Sequence, residues 1–88
     1  MENSEKVKAW LENVIQHLVP TPSEVNVQVK KDDMGVLFTL RVNPKEWGYV
    51  IGKEGGNAKA VRTLLNAVGK LLDMKASLKI DAPEIKGY

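Results

Sequence analysis

The chain has 88 residues, no cysteine and a formal net charge of +2. This describes one small domain without disulfides or cysteine-based metal sites. No apolar run approaches the roughly 20 residues of a membrane-spanning helix, and the acidic N-terminus lacks the features of a secretion signal. We therefore expect a cytoplasmic protein that needs no metal or cofactor. With no cysteine nucleophile and no convincing Ser-His-Asp set, we also expect no catalytic activity.

The first predicted element is an amphipathic helix. Apolar side chains recur at helical spacing over residues 4–18. Asn3 or Ser4 is expected to cap its N-terminus, and Pro20 and Pro22 are expected to end it.

A hairpin is predicted next. Valines that alternate with polar residues over 25–29 indicate a half-buried strand. A turn is expected at 31–35, followed by a second strand over 36–42. Because the second strand is richer in apolar residues, it should be the more central of the two.

The pair Asn43-Pro44 predicts the start of a short helix, since proline suits the first helical position. This helix should end near Ile51 and be interrupted or capped around Gly48. Trp47 within it is expected to anchor the core.

The last predicted elements are a long helix over residues 57–72 and a strand over 76–80. The domain is expected to span residues 1–82. Residues 83–88 contain Pro83 and Gly87 and are expected to form a flexible C-terminal tail.

A glycine-rich loop, Gly52-Lys53-Glu54-Gly55, separates the second and third helices. Glycine has no Cβ, so the backbone can turn tightly and approach a bulky ligand. Amides beside a helix N-terminus suit an anion, and Lys53 adds a mobile cation. The glycine spacing fits neither a P-loop nor a dinucleotide-binding fingerprint. The loop fits instead the sugar-phosphate backbone of a single-stranded nucleic acid.

Positive charge is concentrated around this loop. Residues 41–62 carry five basic side chains against two acidic ones, whereas the chain as a whole is close to neutral. A local basic patch is typical of a surface that contacts phosphates, although charged side chains at this density also occur on ordinary solvated surfaces.

The residues GYVIGKEG at 48–55 and AKAVR at 58–62 resemble those of a family of small stand-alone bacterial KH proteins called KhpA. The order of elements resembles the type II KH arrangement. This resemblance implies an α+β fold of order αββααβ, with a three-stranded sheet packed on one side by three helices. It also implies single-stranded RNA as a ligand, homodimers, and a larger KH-containing protein as a partner.

The resemblance further implies a groove between the second and third helices and a sheet edge. Loop amides and the Lys53 side chain would hold about four nucleotides by their backbone. Val50 and Ile51 would supply part of an apolar floor, helped by Ala58 and Val61, and all four would also serve the core. The predicted RNA-binding residues are Tyr49, Val50, Ile51, Gly52, Lys53, Glu54, Gly55, Lys59 and Arg62.

Two departures from the family pattern predict weak binding of low sequence specificity. The family often has basic residues where Tyr49 and Gly56 stand here, and each lost phosphate contact reduces the salt-sensitive part of binding. Glu54 also repels phosphate. Tyr49 either compensates by stacking on a base, worth about 1–3 kcal/mol, or packs sideways on the short helix.

Small and apolar residues on the third helix suggest a different role, a protein-interaction or dimerisation module with little RNA binding of its own. This dimerisation strip consists of Ala60, Thr63, Leu64, Ala67 and Leu71. Contact with the first helix of the same chain is the alternative explanation of the strip.

Overall fold

The computed structural model describes residues 2–81, which form three α-helices and a three-stranded sheet. The elements are α1 (Asn3–Gln16), β1 (Asn26–Asp32), β2 (Gly35–Arg41), α2 (Trp47–Ile51), α3 (Gly56–Leu71) and β3 (Ala76–Ile80). This α+β arrangement of order αββααβ confirms the predicted fold class. The tail predicted over 83–88 lies outside the described residues. In the described part of the chain, no helix has the length and apolar character needed to cross a membrane.

The sheet has the order β1-β2-β3, so β2 is central as predicted. It pairs antiparallel with β1 and parallel with β3. Pairing with β1 continues to Asp32 and Gly35, which leaves a tighter turn than the predicted 31–35. The parallel pairing requires a long crossover, and α2, the glycine loop and α3 provide it.

One face of the sheet carries the core. Val27, Phe38 and Leu40 are buried on this face, and Leu11 of α1 and Leu65 of α3 are buried in the same hydrophobic cluster. Because successive strand residues point to opposite faces, the polar residues of the strands face away from the helices. The predicted packing of helices on one side therefore follows from the alternation.

The ends of α1 differ from the prediction. Glu2 is the capping residue, not Asn3 or Ser4. The Ser4 side chain is buried, and its hydroxyl donates to Glu2 Oε1 at 2.9 Å. The helix ends at Gln16, two residues earlier than predicted, because the amides of His17 and Leu18 close tighter turns on the Val14 and Ile15 carbonyls, at 3.2 and 2.9 Å.

The short helix α2 begins at Trp47 and not at Asn43-Pro44. The Asn43 side chain accepts a hydrogen bond from the Lys45 amide at 2.9 Å, and this local turn replaces the first predicted helical turn. Gly48 does not interrupt the helix. Trp47 is buried in the core, as predicted.

Glu46, the residue before α2, is buried and fixes this helix to the segment that follows α1. Its carboxylate accepts hydrogen bonds from the Thr21 amide at 3.0 Å and from the Thr21 hydroxyl at 2.5 Å. Hydrogen bonds to a charged group are among the stronger ones in proteins. They hold α2, and therefore the loop that follows it, in a defined position.

Candidate nucleic-acid interface

The glycine loop has a backbone that requires glycine at its first position. Gly52 has φ 73° and ψ 177°, a region essentially open only to glycine. Gly55 has φ 74° and ψ 13°, and Glu54 has φ 55° and ψ 27°, so both are left-handed. The Gly55 amide closes the loop by donating to the Gly52 carbonyl at 3.2 Å.

Asn57 locks the loop against α2. Its side-chain amide donates to the carbonyl of Tyr49 at 2.9 Å. A Cβ at Gly52 would lie only 2.6 Å from Asn57 Cγ, whereas a Cβ at Gly55 would meet only Lys59 Cε, at 3.9 Å. Sequence reasoning missed Asn57, although a polar residue in the first turn of α3 is a usable signal.

A groove of about 800 Å³ opens beside this loop, and we call it the loop groove. The loop, α3 and the edge strand β3 form its walls. Its lining residues are Ile51, Gly52, Glu54, Gly55, Ala58, Lys59, Arg62, Leu78, Lys79 and Ile80. The structure therefore brings together most of the predicted RNA-binding residues, and it adds β3, which the sequence indicated only as an unspecified sheet edge.

The remaining predicted residues lie elsewhere. Val50 and Val61 are buried and do not line the loop groove, so their placement matches a core role. Tyr49 is 54% exposed on α2, outside the lining residues. Lys53 is exposed on the loop itself. By contrast, Ile51 and Ala58 do line the loop groove and form its apolar floor.

The free edge of β3 presents backbone hydrogen-bonding groups to the loop groove. The carbonyl of Lys75 accepts from Val36 at 2.7 Å, and the amide of Asp81 donates to Leu40 at 3.0 Å. Odd-numbered residues of this strand therefore bond to β2. Because backbone groups alternate in direction along a strand, Leu78 and Ile80 turn their N–H and C=O groups outward.

The electrostatic balance of the loop groove is positive. Lys59, Arg62 and Lys79 line it, against the single carboxylate of Glu54. Within residues 2–81, the salt bridges join Lys31 to Glu2 and Arg41 to Asp81, so they do not neutralise these three cations. The groove thus combines loop amides, cations, an apolar floor and a strand edge with free backbone groups.

The dimerisation strip lies on the opposite side of α3 from the core. Its five residues are all exposed, with Leu64 at 52% and Leu71 at 84%. The alternative explanation was that the strip packs against α1 of the same chain. That contact would bury these residues, whereas all five are exposed.

Comparison with known proteins gives consistent matches. A family model described as "KhpA/KhpB, KH domain" matches residues 8–80. The chain is 38% identical over 68 residues to the RNA-binding protein KhpA of Listeria monocytogenes, covering 77% of this chain and 90% of the relative. It is 36% identical over 74 residues to the RNA-binding protein KhpA of Chlamydia caviae, covering 84% and 95%. No solved structure gives a significant match.

Proposed function

The chain belongs to the KhpA/KhpB family of KH domains, and on this basis we propose that it binds single-stranded RNA without catalysing a reaction. The observation that carries the proposal is the loop groove, which a glycine loop, Lys59 and Arg62 of α3, and the edge strand β3 with Lys79 line together. The names of its relatives, RNA-binding proteins, support the same ligand.

The loop would bind the sugar-phosphate backbone. Gly52 and Gly55 keep side chains away from the backbone at the two turns, so a phosphate can reach the loop amides. The N-terminus of α3 directly follows and favours an anion. Lys53 adds a charge from the loop itself.

The bases would lie across the groove toward β3. Ile51 and Ala58 offer an apolar surface, and the outward N–H and C=O groups of Leu78 and Ile80 match the donors and acceptors on base edges. A KH loop clamps about four nucleotides. Because these contacts use backbone groups of the protein, we expect little preference for one RNA sequence over another.

Binding is expected to be weak. Tyr49 and Gly56 are uncharged, and Glu54 places a carboxylate in the groove. We therefore expect few phosphate contacts. Because the salt dependence of binding grows with the number of such contacts, the affinity should fall only gently as the salt concentration rises. Tyr49 is exposed enough to stack on a base that leaves the groove.

The double variant Lys53→Asp, Glu54→Asp tests the loop as the binding site. We expect labelled single-stranded RNA to bind at least about tenfold more weakly, a loss of about 1.4 kcal/mol, because two carboxylates then face the phosphate. Aspartate tolerates the left-handed backbone at position 54, so the fold should persist. The measurement is fluorescence anisotropy at low salt, with circular dichroism as the check of folding.

Lys6→Glu is the matched control, since it changes the net charge by the same amount. Lys6 is exposed on α1 and does not line the loop groove. If the control weakens binding as much as the loop variant, affinity reflects overall charge and the assignment to the loop fails. If the parent protein does not bind at low salt, RNA binding by this chain alone is wrong.

A second candidate function is self-association through the dimerisation strip. The exposure of Leu64 and Leu71 favours it, since apolar side chains on a surface often mark an interaction site. We propose that the strip forms a homodimer, or binds a larger KH-containing partner through the same face.

Leu64→Asp tests this second candidate. A buried carboxylate in an interface is costly, so we expect the dimer dissociation constant to rise at least about tenfold in sedimentation equilibrium. Asn66→Asp, on a different side of the same helix, is the control and should leave association unchanged. A monomeric parent protein, or equal dimerisation by both variants, would remove the strip as an interface.

A further inference from the structure

A second groove, of about 590 Å³, lies at the far end of α3 from the glycine loop, and we call it the distal groove. Lys70 and Lys75 line it together with Met34 and Gly35 of the hairpin turn. It is therefore formed by the last turns of α3, the start of β3 and the tip of the β1–β2 hairpin.

A smaller depression of about 160 Å³ shares lining residues with both grooves. This depression shares Arg62 and Leu78 with the loop groove. It shares Asn66, Ala76 and Ser77 with the distal groove. The three depressions therefore follow one another along the seam between α3 and the free edge of β3, and we call this series the track.

The polar side of this track has a regular spacing. Lys59, Arg62, Asn66 and Lys70 all line it from α3. Steps of three or four residues keep side chains on one side of a helix, and the rise from Lys59 to Lys70 is about 16 Å. The other wall continues too, because Ala76 lies in β3 with the same outward backbone orientation as Leu78 and Ile80.

The charge of the distal groove also suits a polyanion. Lys70 and Lys75 are exposed, and the acidic residue lining the groove is Asp32. One oxygen of the Asp32 carboxylate already accepts hydrogen bonds from the Met34 amide at 2.7 Å and the Gly35 amide at 3.2 Å. Met34 is 79% exposed at the rim and provides an apolar surface for a base.

We infer that an RNA strand longer than the site of about four nucleotides continues from the loop groove along α3 into the distal groove, where Lys70 and Lys75 contact its backbone. The inference rests on the proposed function, because it extends the same strand. The inference is based on the lining residues that neighbouring depressions share and on the two cations, Lys70 and Lys75, at the distal end.

Binding of a short and a long RNA separates the two claims. The probes are labelled oligouridines of about four nucleotides and about ten nucleotides, titrated by anisotropy against the full chain. For Lys70→Gln, Lys75→Gln we expect unchanged affinity for the short RNA and at least about threefold weaker binding of the long one. The salt slope for the long RNA should be shallower by about 1.4, because about 0.7 is lost for each phosphate contact on a single strand.

The control is Lys6→Gln, Lys30→Gln, which removes the same charge from positions that line neither groove. Comparison with this control corrects for two effects: the loss of overall charge, and the larger number of positions at which a longer RNA can bind. Equal affinity of the distal variant and the control for the long RNA overturns the inference, and leaves the distal groove to another partner. Both claims are supported if the Lys53→Asp, Glu54→Asp variant loses binding of both RNAs and the distal variant loses affinity only for the long RNA. Failure of the parent to bind either RNA is a failure of the proposed function.

Discussion

Replacing Gly52 with alanine is expected to lower the free energy of unfolding by about 2–3 kcal/mol and to weaken RNA binding at least about tenfold. The backbone at Gly52 has φ 73° and ψ 177°, a conformation that strains any residue with a Cβ. The new Cβ would also lie 2.6 Å from Asn57 Cγ. To relieve this contact Asn57 must move, and its hydrogen bond to the Tyr49 carbonyl is then lost.

Two alanine substitutions at neighbouring glycines serve as graded controls. Gly48→Ala lies in α2 with no atom within 4 Å of the added Cβ, and alanine favours a helix by up to about 1 kcal/mol. Gly55→Ala has space but a left-handed backbone, which costs about 1–2 kcal/mol. Urea unfolding of the three variants should rank Gly52→Ala as the least stable. A Gly52→Ala protein as stable as the parent would contradict the backbone argument.

Reversing the two cations of α3 that line the loop groove is the second large change. For Lys59→Glu, Arg62→Glu we expect RNA affinity to fall at least about 30-fold at low salt, because two phosphate contacts become two repulsions. Both side chains line the loop groove and both residues are exposed, so stability should change by less than about 1 kcal/mol. Anisotropy titrations at several salt concentrations measure the affinity, and thermal unfolding measures the stability.

The matched control for this pair is Lys6→Glu, Lys30→Glu. It makes the same change in net charge on α1 and on β1, away from the loop groove. We expect it to weaken binding by no more than about threefold through long-range electrostatics. If the control and the α3 variant lose affinity equally, the cations of α3 have no specific contact with RNA.

The sequence predicted well what local patterns determine. Strand alternation and apolar content identified β1 and the central β2, helical spacing identified α1 and α3, and the glycine loop was located correctly between α2 and α3. These features depend on the periods of the strand and the helix, which are written into consecutive residues.

Features that depend on contacts between distant segments were not predictable in the same way. The N-terminal boundary of α2 is set by the Asn43 side chain and by the bonds from Thr21 to Glu46. The free edge of β3 exists because that strand lies at one end of the sheet and pairs with β2 on one side. Lys79 lines the loop groove because it lies on this edge strand.

The division between core and site residues also needed the structure. Val50 and Ile51 are adjacent, chemically alike and both buried in the core, yet only Ile51 also lines the loop groove. On a helix, adjacent residues point about 100° apart, and only the position of the groove decides which of them faces it. The dimerisation strip was proposed from the sequence and stays a prediction, whereas the exposure of its residues could be read only from the structure.

The most direct measurement is a titration of the ¹⁵N-labelled protein with a short single-stranded RNA, followed by amide chemical shifts. RNA binding through the loop groove predicts the largest shifts at Gly52, Gly55, Leu78 and Ile80, which belong to the loop and the β3 edge. Smaller shifts are expected along α3 at Lys59 and Arg62. Shifts confined to the dimerisation strip, or none at low salt, would contradict RNA binding at this site and favour the interaction module.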